Sequence, residues 1–96
     1  MRVADLHLDA ASREVRWDER SIELTAREYE LLEFMARNPR RALSRGLLLS
    51  RVWGHHAGVG TNVVDVYVGY LRKKLDATGE PLIRAVRGAG YALKGE

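Results

Sequence analysis

Thr61-Asn62-Val63-Val64-Asp65-Val66-Tyr67-Val68-Gly69-Tyr70-Leu71-Arg72-Lys73-Lys74-Leu75 is the stretch whose reading decides the fold. At about 100° per residue, Val64, Val68, Leu71 and Leu75 fall within one narrow arc. That periodicity predicts a helix over 62–75 with one buried seam and Thr61 at its cap. The opposite side carries Asn62, Val66, Gly69, Tyr70 and Lys73, with Tyr67 and Lys74 at its border. A face meant only for water would carry more charge and would not display a valine and a tyrosine.

An α-helix fits the major groove of B-DNA, and these side chains have uses there. Asn62 can pair with an adenine edge, Val66 can pack on a thymine methyl, and Tyr70 can donate to or stack along the duplex. Lys73 and Lys74 suit phosphates. The free N–H groups at the helix start, near Thr61 and Asn62, suit another. The same face would also serve as a protein-binding groove, and the residues of this segment leave both readings open.

Downstream, the runs 82–86 and 91–94 flank Arg87-Gly88-Ala89-Gly90, the pattern of a β-hairpin. Arg87 at a glycine-flanked tip can enter a narrow minor groove, while Gly88 and Gly90 equally serve the turn itself. Upstream, 54–60 holds three glycines in seven residues and reads as a loop. Before it, Ser44 is a cap for a second helix carrying Leu47, Leu48, Val52 and Trp53, interrupted by the poor helix former Gly46. Thr25-Ala26-Arg27-Glu28 matches a capping box, and Tyr29, Leu32 and Ala36, beside Leu31 and Met35, continue a first helix that Asn38-Pro39 ends. Further back, residues 3–8, Val15 with Trp17, and Ile22 with Leu24 alternate apolar and polar, with Asp18-Glu19 as a turn. These are short antiparallel strands wet on one face. Strands, three helices and a hairpin make an α+β chain with one domain over 1–96.

Composition narrows the function. Ninety-six residues hold one core. No apolar run approaches the roughly 20 residues of a bilayer span. No signal-peptide layout opens the chain, and there is no cysteine. A cytoplasmic protein without membrane association fits all of this. The net charge of +3 is unevenly spread: residues 1–36 sum to −4, residues 37–75 to +7, and the remainder to zero. A basic middle third beside an acidic first third points to a polyanionic partner. Catalysis is not expected. His7 lies on a strand, His55 and His56 are adjacent rather than at metal-ligand spacing, and no glycine-rich phosphate loop opens a helix. Glu30 and Glu33 read as a solvated face. No cofactor and no metal follow from these residues. RNA is disfavoured because a deep, narrow A-form groove does not admit a helix.

The residues also resemble one family along essentially the whole chain: the OmpR/PhoB-type winged-helix effector domains of two-component response regulators. The resemblance rests on 24–32 (first-helix entry), on Ser44-Arg45, Leu47-Leu48-Leu49 and Val52-Trp53-Gly54, on 62–68 with 71–75, and on Val86-Arg87-Gly88-Ala89-Gly90-Tyr91. It implies a winged helix-turn-helix: an N-terminal antiparallel sheet, a three-helix core and a C-terminal wing. It implies sequence-specific binding of double-stranded DNA, with the third helix in the major groove and Arg87 in the minor groove. Family phosphate contacts fall on Arg45, Trp53, Tyr67, Arg72 and Tyr91. Trp53 and Tyr91 equally suit core aromatics that offer a polar tip, and Arg72 equally suits an ion partner for Asp65. The resemblance further implies head-to-tail dimers on direct repeats, a receiver domain in the full-length protein, and a loop, 54–60, that in the family can touch RNA polymerase. A chain opening directly on its first strand reads as a C-terminal portion of such a protein. Three departures matter, the first being Gly46 in the second helix, where relatives often carry an acidic residue. Gly69 and Tyr70 replace the consecutive arginines many members carry, and the 54–60 loop lacks the family's acidic and aromatic residues. Base recognition is therefore expected to rest on Asn62, Val66, Tyr70 and Arg87.

Overall fold

A computed structural model describes residues 1–17, 19–54, 60–75 and 81–94. Four strands, β1 (Arg2–Val3), β2 (Leu6–Asp9), β3 (Glu14–Trp17) and β4 (Arg20–Ile22), form an antiparallel meander in chain order. Pairing of Leu6 with Trp17, Leu8 with Val15, and Val15 with Ile22 puts the apolar side chains on one face. Arg2, His7, Arg16 and Ser21 line up in register on the wet face. The run 3–8, expected as one strand, is two. Val3 pairs with Leu6 across a two-residue turn in which Ala4 has φ 53°. The phase of the sequence requires it: Val3 is odd and Leu6 and Leu8 are even, so a single strand could not bury all three. Trp17 pairs with Arg20 as the expected next turn demands, although Asp18 of that turn lies outside the described residues.

Helix α1 (Ala26–Ala36) begins at the capping box: Thr25 Oγ1 accepts from Glu28 N–H and Glu28 Oε1 accepts from Thr25 N–H. It ends where Asn38 turns back to donate from Nδ2 to the Phe34 carbonyl at 2.9 Å, satisfying a last-turn acceptor before Pro39. Ser44 caps α2 by accepting from Leu47 N–H at 3.0 Å. The second helix is shorter than its apolar pattern suggests. Four residues, Arg45–Leu48, are α-helical, and Leu49–Trp53 widen into a π-type turn that closes on Gly54 at φ 86°. Helix α3 is Asn62–Leu75, as expected. Strands β5 (Ile83–Val86) and β6 (Gly90–Leu93) make the hairpin, with Val86 paired to Gly90.

The core lies between the sheet, the helices and the hairpin. Leu6, Val15, Leu31, Leu32, Met35, Leu48, Leu82, Ile83 and Leu93 fill it together with the α3 seam of Val64, Val68, Leu71 and Leu75. An unexpected third strand-like segment anchors the hairpin. Leu43 exchanges backbone hydrogen bonds with Tyr91 at 2.7 and 3.0 Å, and Arg40 N–H donates to Leu93 O at 2.8 Å. Gly90 makes this possible. A Cβ there would lie 2.0 Å from the Leu43 carbonyl oxygen, so only glycine permits the approach.

Candidate nucleic-acid interface

Burial of the Val64–Leu75 seam fixes the rotation of α3 and leaves its other face to solvent. Val66 and Tyr70 are the exposed large apolar side chains of this helix, at 44% and 46%, while Val68 and Leu71 beside them are at 1% and 0%. Asn62, Thr61 and Lys73 are exposed on the same side. Tyr67 is half-buried. Its ring meets Tyr70 edge-on at 5.4 Å and Trp53 at 5.2 Å, so an aromatic row runs from the exposed face to the π-type turn. Trp53 is in turn held from α1, where Arg27 lies 5.5 Å over its ring and donates from Nη1 to the Val52 carbonyl. Such edge-to-face and cation–π contacts stiffen the surface without hiding it.

A second cluster joins α2, α3 and the hairpin. Arg45 Nε donates to Asp65 Oδ1 at 2.7 Å, and the Tyr91 hydroxyl donates to the same oxygen. These two donors, Tyr91 first and Arg45 second, hold the Asp65 carboxyl below its ordinary range. The Tyr91 phenol is pushed up, by burial and then by Asp65. Both Arg45 and Arg72 lie over the Tyr91 ring, at 5.1 and 5.6 Å. Arg72 also donates from Nε and Nη2 to the Ile83 carbonyl at 3.3 and 3.2 Å. Asp65 is thus an ion partner of Arg45 rather than of Arg72. Seven residues along a helix is an axial rise of about 10 Å, near the limit of the two side chains' combined reach. Arg72 instead ties α3 to β5. The cluster sets the hairpin against α3 and carries Arg87 exposed at the tip, where Gly88 adopts φ 76°.

Lys74 is placed differently from its neighbour. Its Nζ donates at 2.6 Å to Oε1 of Glu28, a carboxylate that is only 4% exposed. Burial raises the Glu28 carboxyl, but the Lys74 bond and the Thr25 N–H outweigh it and the net direction is down. Of the two lysines expected to suit phosphates, Lys73 is exposed, whereas Lys74, at the border of the face, is turned toward α1. Glu28 was legible as a cap but not as the anchor of α3, because its partner is 46 residues away. The remaining sequence-level site, the 54–60 loop, lies outside the described residues except for Gly54 and Gly60. No helix among the described residues is long and apolar enough to cross a membrane.

The chain is similar to known proteins in sequence and in fold. Residues 19–93 match the family described as "Transcriptional regulatory protein, C terminal". The transcriptional regulatory protein TrcR of Mycobacterium tuberculosis is 54% identical over 94 residues, 98% of this chain and 37% of that protein. Response regulator MprA of Mycobacterium tuberculosis is 50% identical over 95 residues, again 98% of this chain and 41% of its own length. The chain therefore spans about two fifths of the length of these curated relatives. Among solved structures, the DNA-binding domain of response regulator AdeR in complex with an intercistronic region superposes with a TM-score of 0.87 at 28% identity, covering 100% of both chains.

Proposed function

The chain belongs to the family of transcriptional regulatory protein C-terminal domains, the OmpR/PhoB-type winged helices, and from that premise we propose that it is the sequence-specific DNA-binding output domain of a response regulator. One observation carries the reading: a rigidly seated helix displays Asn62, Val66, Tyr70 and Lys73 beside an exposed Arg87 on a hairpin fixed to that helix. In this reading α3 enters the major groove. Asn62, Val66 and Tyr70 meet base edges there, and Arg87 reaches the adjoining minor groove. Thr61 with the free N–H groups at the start of α3, and Lys73, meet phosphates. Arg45, Trp53, Tyr67, Arg72 and Tyr91 flank this surface as a set whose polar atoms meet the backbone while their other atoms hold helix and wing in place; Arg45 is exposed, Trp53, Tyr67 and Arg72 are half-buried, and Tyr91 is buried. Lys74, engaged by Glu28, leaves the phosphate role to Lys73.

In this reading the parent protein carries a receiver domain, as a response regulator does, and acts in the cytoplasm. The domain itself is monomeric and pairs head to tail on direct repeats about one helical turn, roughly 10 base pairs, apart. RNA polymerase meets it through 54–60. The test is selection from random duplex DNA with the 96-residue domain, followed by titration of the recovered site at several salt concentrations. A steep loss of affinity with salt and a recovered direct repeat are expected. Salt-insensitive association, or no enrichment of any duplex, would favour a protein-binding use of the same face.

A further inference from the structure

Gly69 stands in the middle of α3, on the face that carries Val66, Tyr70 and Lys73. Nothing among the described residues asks for glycine there. The residue is helical, its φ is not positive, and beyond its chain neighbours and the backbone of its own helix a Cβ there would meet no atom of the described residues within 4 Å. Gly90 is the contrast: its φ is 131° and its Cβ would strike the Leu43 backbone. In a helix interior glycine is the poorest former after proline, because it gives up the most backbone freedom on folding. Gly69 therefore weakens the helix without an internal return.

Its place on the helix suggests where the return lies. At about 100° per residue, Gly69 is roughly 60° from Val66 and roughly 40° from Lys73. The missing side chain leaves a notch in the helix surface, bordered by Asp65 and Val66 on the preceding turn and Arg72 and Lys73 on the following one. Within that notch the backbone itself is the surface. Neighbouring side chains on this face are long or branched, so an object seated on the face would stand off from the helix everywhere except here.

Resting on the DNA-binding reading above, we propose that Gly69 is where the backbone of α3 comes closest to the major-groove edges of the bases, so that residue 69 sets how deeply the helix seats. The lack of a Cβ admits a projecting base-edge group between Val66 and Lys73. Closeness of backbone to base edge belongs to the specific complex alone. Loosely held, non-specific complexes are governed by phosphate charge and do not require it.

The experiment compares wild-type, Gly69→Ala and Gly69→Leu domains in thermal unfolding and in titrations of two duplexes, one recovered by selection with the wild type and one random. Gly69→Ala should raise Tm by several degrees through better helix propensity. It should lose about tenfold or more in affinity for the selected duplex, and Gly69→Leu should lose more. Affinity for the random duplex and the salt slope should stay as in wild type, since no charge changes. Retention of full affinity for the selected duplex by Gly69→Ala would overturn the inference while leaving DNA binding intact. Equal losses on both duplexes, or a lowered Tm, would overturn it as well. Failure of the wild type to bind any duplex would instead overturn the DNA-binding reading, and this inference with it.

Discussion

Lys73 and Lys74 are adjacent, carry the same charge and end the same helix, yet their replacement by alanine should have opposite consequences. Lys74 Nζ sits 2.6 Å from a Glu28 oxygen that also takes the Thr25 N–H at 2.9 Å. Glu28 is 4% exposed, so removal of Lys74 leaves a buried carboxylate with its cap bond alone. A charge-assisted hydrogen bond contributes about 1.5–3 kcal/mol. The Lys74 side chain is 37% exposed, so solvent screening brings the expectation down to about 1–2 kcal/mol. For a domain of this size that is a fall in Tm of roughly 5–15 °C. Lys73→Ala should change stability by less than about 0.5 kcal/mol. Titration with DNA should reverse the ranking: Lys73→Ala flattens the salt slope by about one unit on specific and random duplexes alike, and Lys74→Ala by much less. Acid supplies a further check. The Glu28 carboxyl is depressed in the folded state, so its stabilisation is present above its unfolded pKa and lost as pH falls through the folded value. Urea unfolding of wild type and Lys74→Ala should therefore converge at acid pH and diverge toward neutrality. A gap that stayed constant with pH, or a salt slope flattened equally by both substitutions, would refute the assignment of Lys74 to Glu28.

Three further outcomes follow from the same geometry. Leu71→Ala, at a site with no exposure, should cost about 2–5 kcal/mol in urea unfolding and leave the ranking of DNA sites unchanged. Gly90→Ala should cost about 3 kcal/mol or more, because its Cβ collides with the Leu43 backbone at a φ of 131°; the Leu43 and Tyr91 amides should lose hydrogen-exchange protection first. Asp65, depressed by Tyr91 and Arg45, stabilises the wing above the ordinary aspartate pKa and loses that effect as pH falls through its lowered value. NMR shifts of Tyr91 should follow that titration in wild type and stay flat in Asp65→Asn.

The parts of this fold legible in the sequence are those in which a local period decides burial. Val64, Val68, Leu71 and Leu75 recur at helical spacing and are buried, and Val66 and Tyr70 opposite them are exposed. Thr25 and Glu28 announce a helix start because the capping box is made within four residues. The features that escaped depend on partners distant in the chain. The border position of Lys74 is settled by Glu28 on another helix, and Asp65 is claimed by Arg45 and Tyr91 from α2 and the wing. The pairing of Leu43 with Tyr91 runs through backbone atoms, which leave no side-chain signature. The apolar run through Leu47, Leu48, Val52 and Trp53 fits an α-helix, and only hydrogen-bond register separates α2 from the wider turn that follows. The break at Ala4-Asp5 was present in the sequence as a change of parity between Val3 and Leu6.

The central claim is that the exposed face of α3 reads bases while its buried face holds the fold. The most direct measurement pairs urea unfolding of Tyr70→Ala with its binding to a selected duplex and to duplexes mutated at single base pairs. Tyr70 is 46% exposed, so unfolding should shift by less than about 1 kcal/mol. Discrimination at particular base pairs should fall by about 1–3 kcal/mol. A Tyr70→Ala domain that unfolds far more easily than wild type yet still ranks every duplex in the wild-type order would contradict the account.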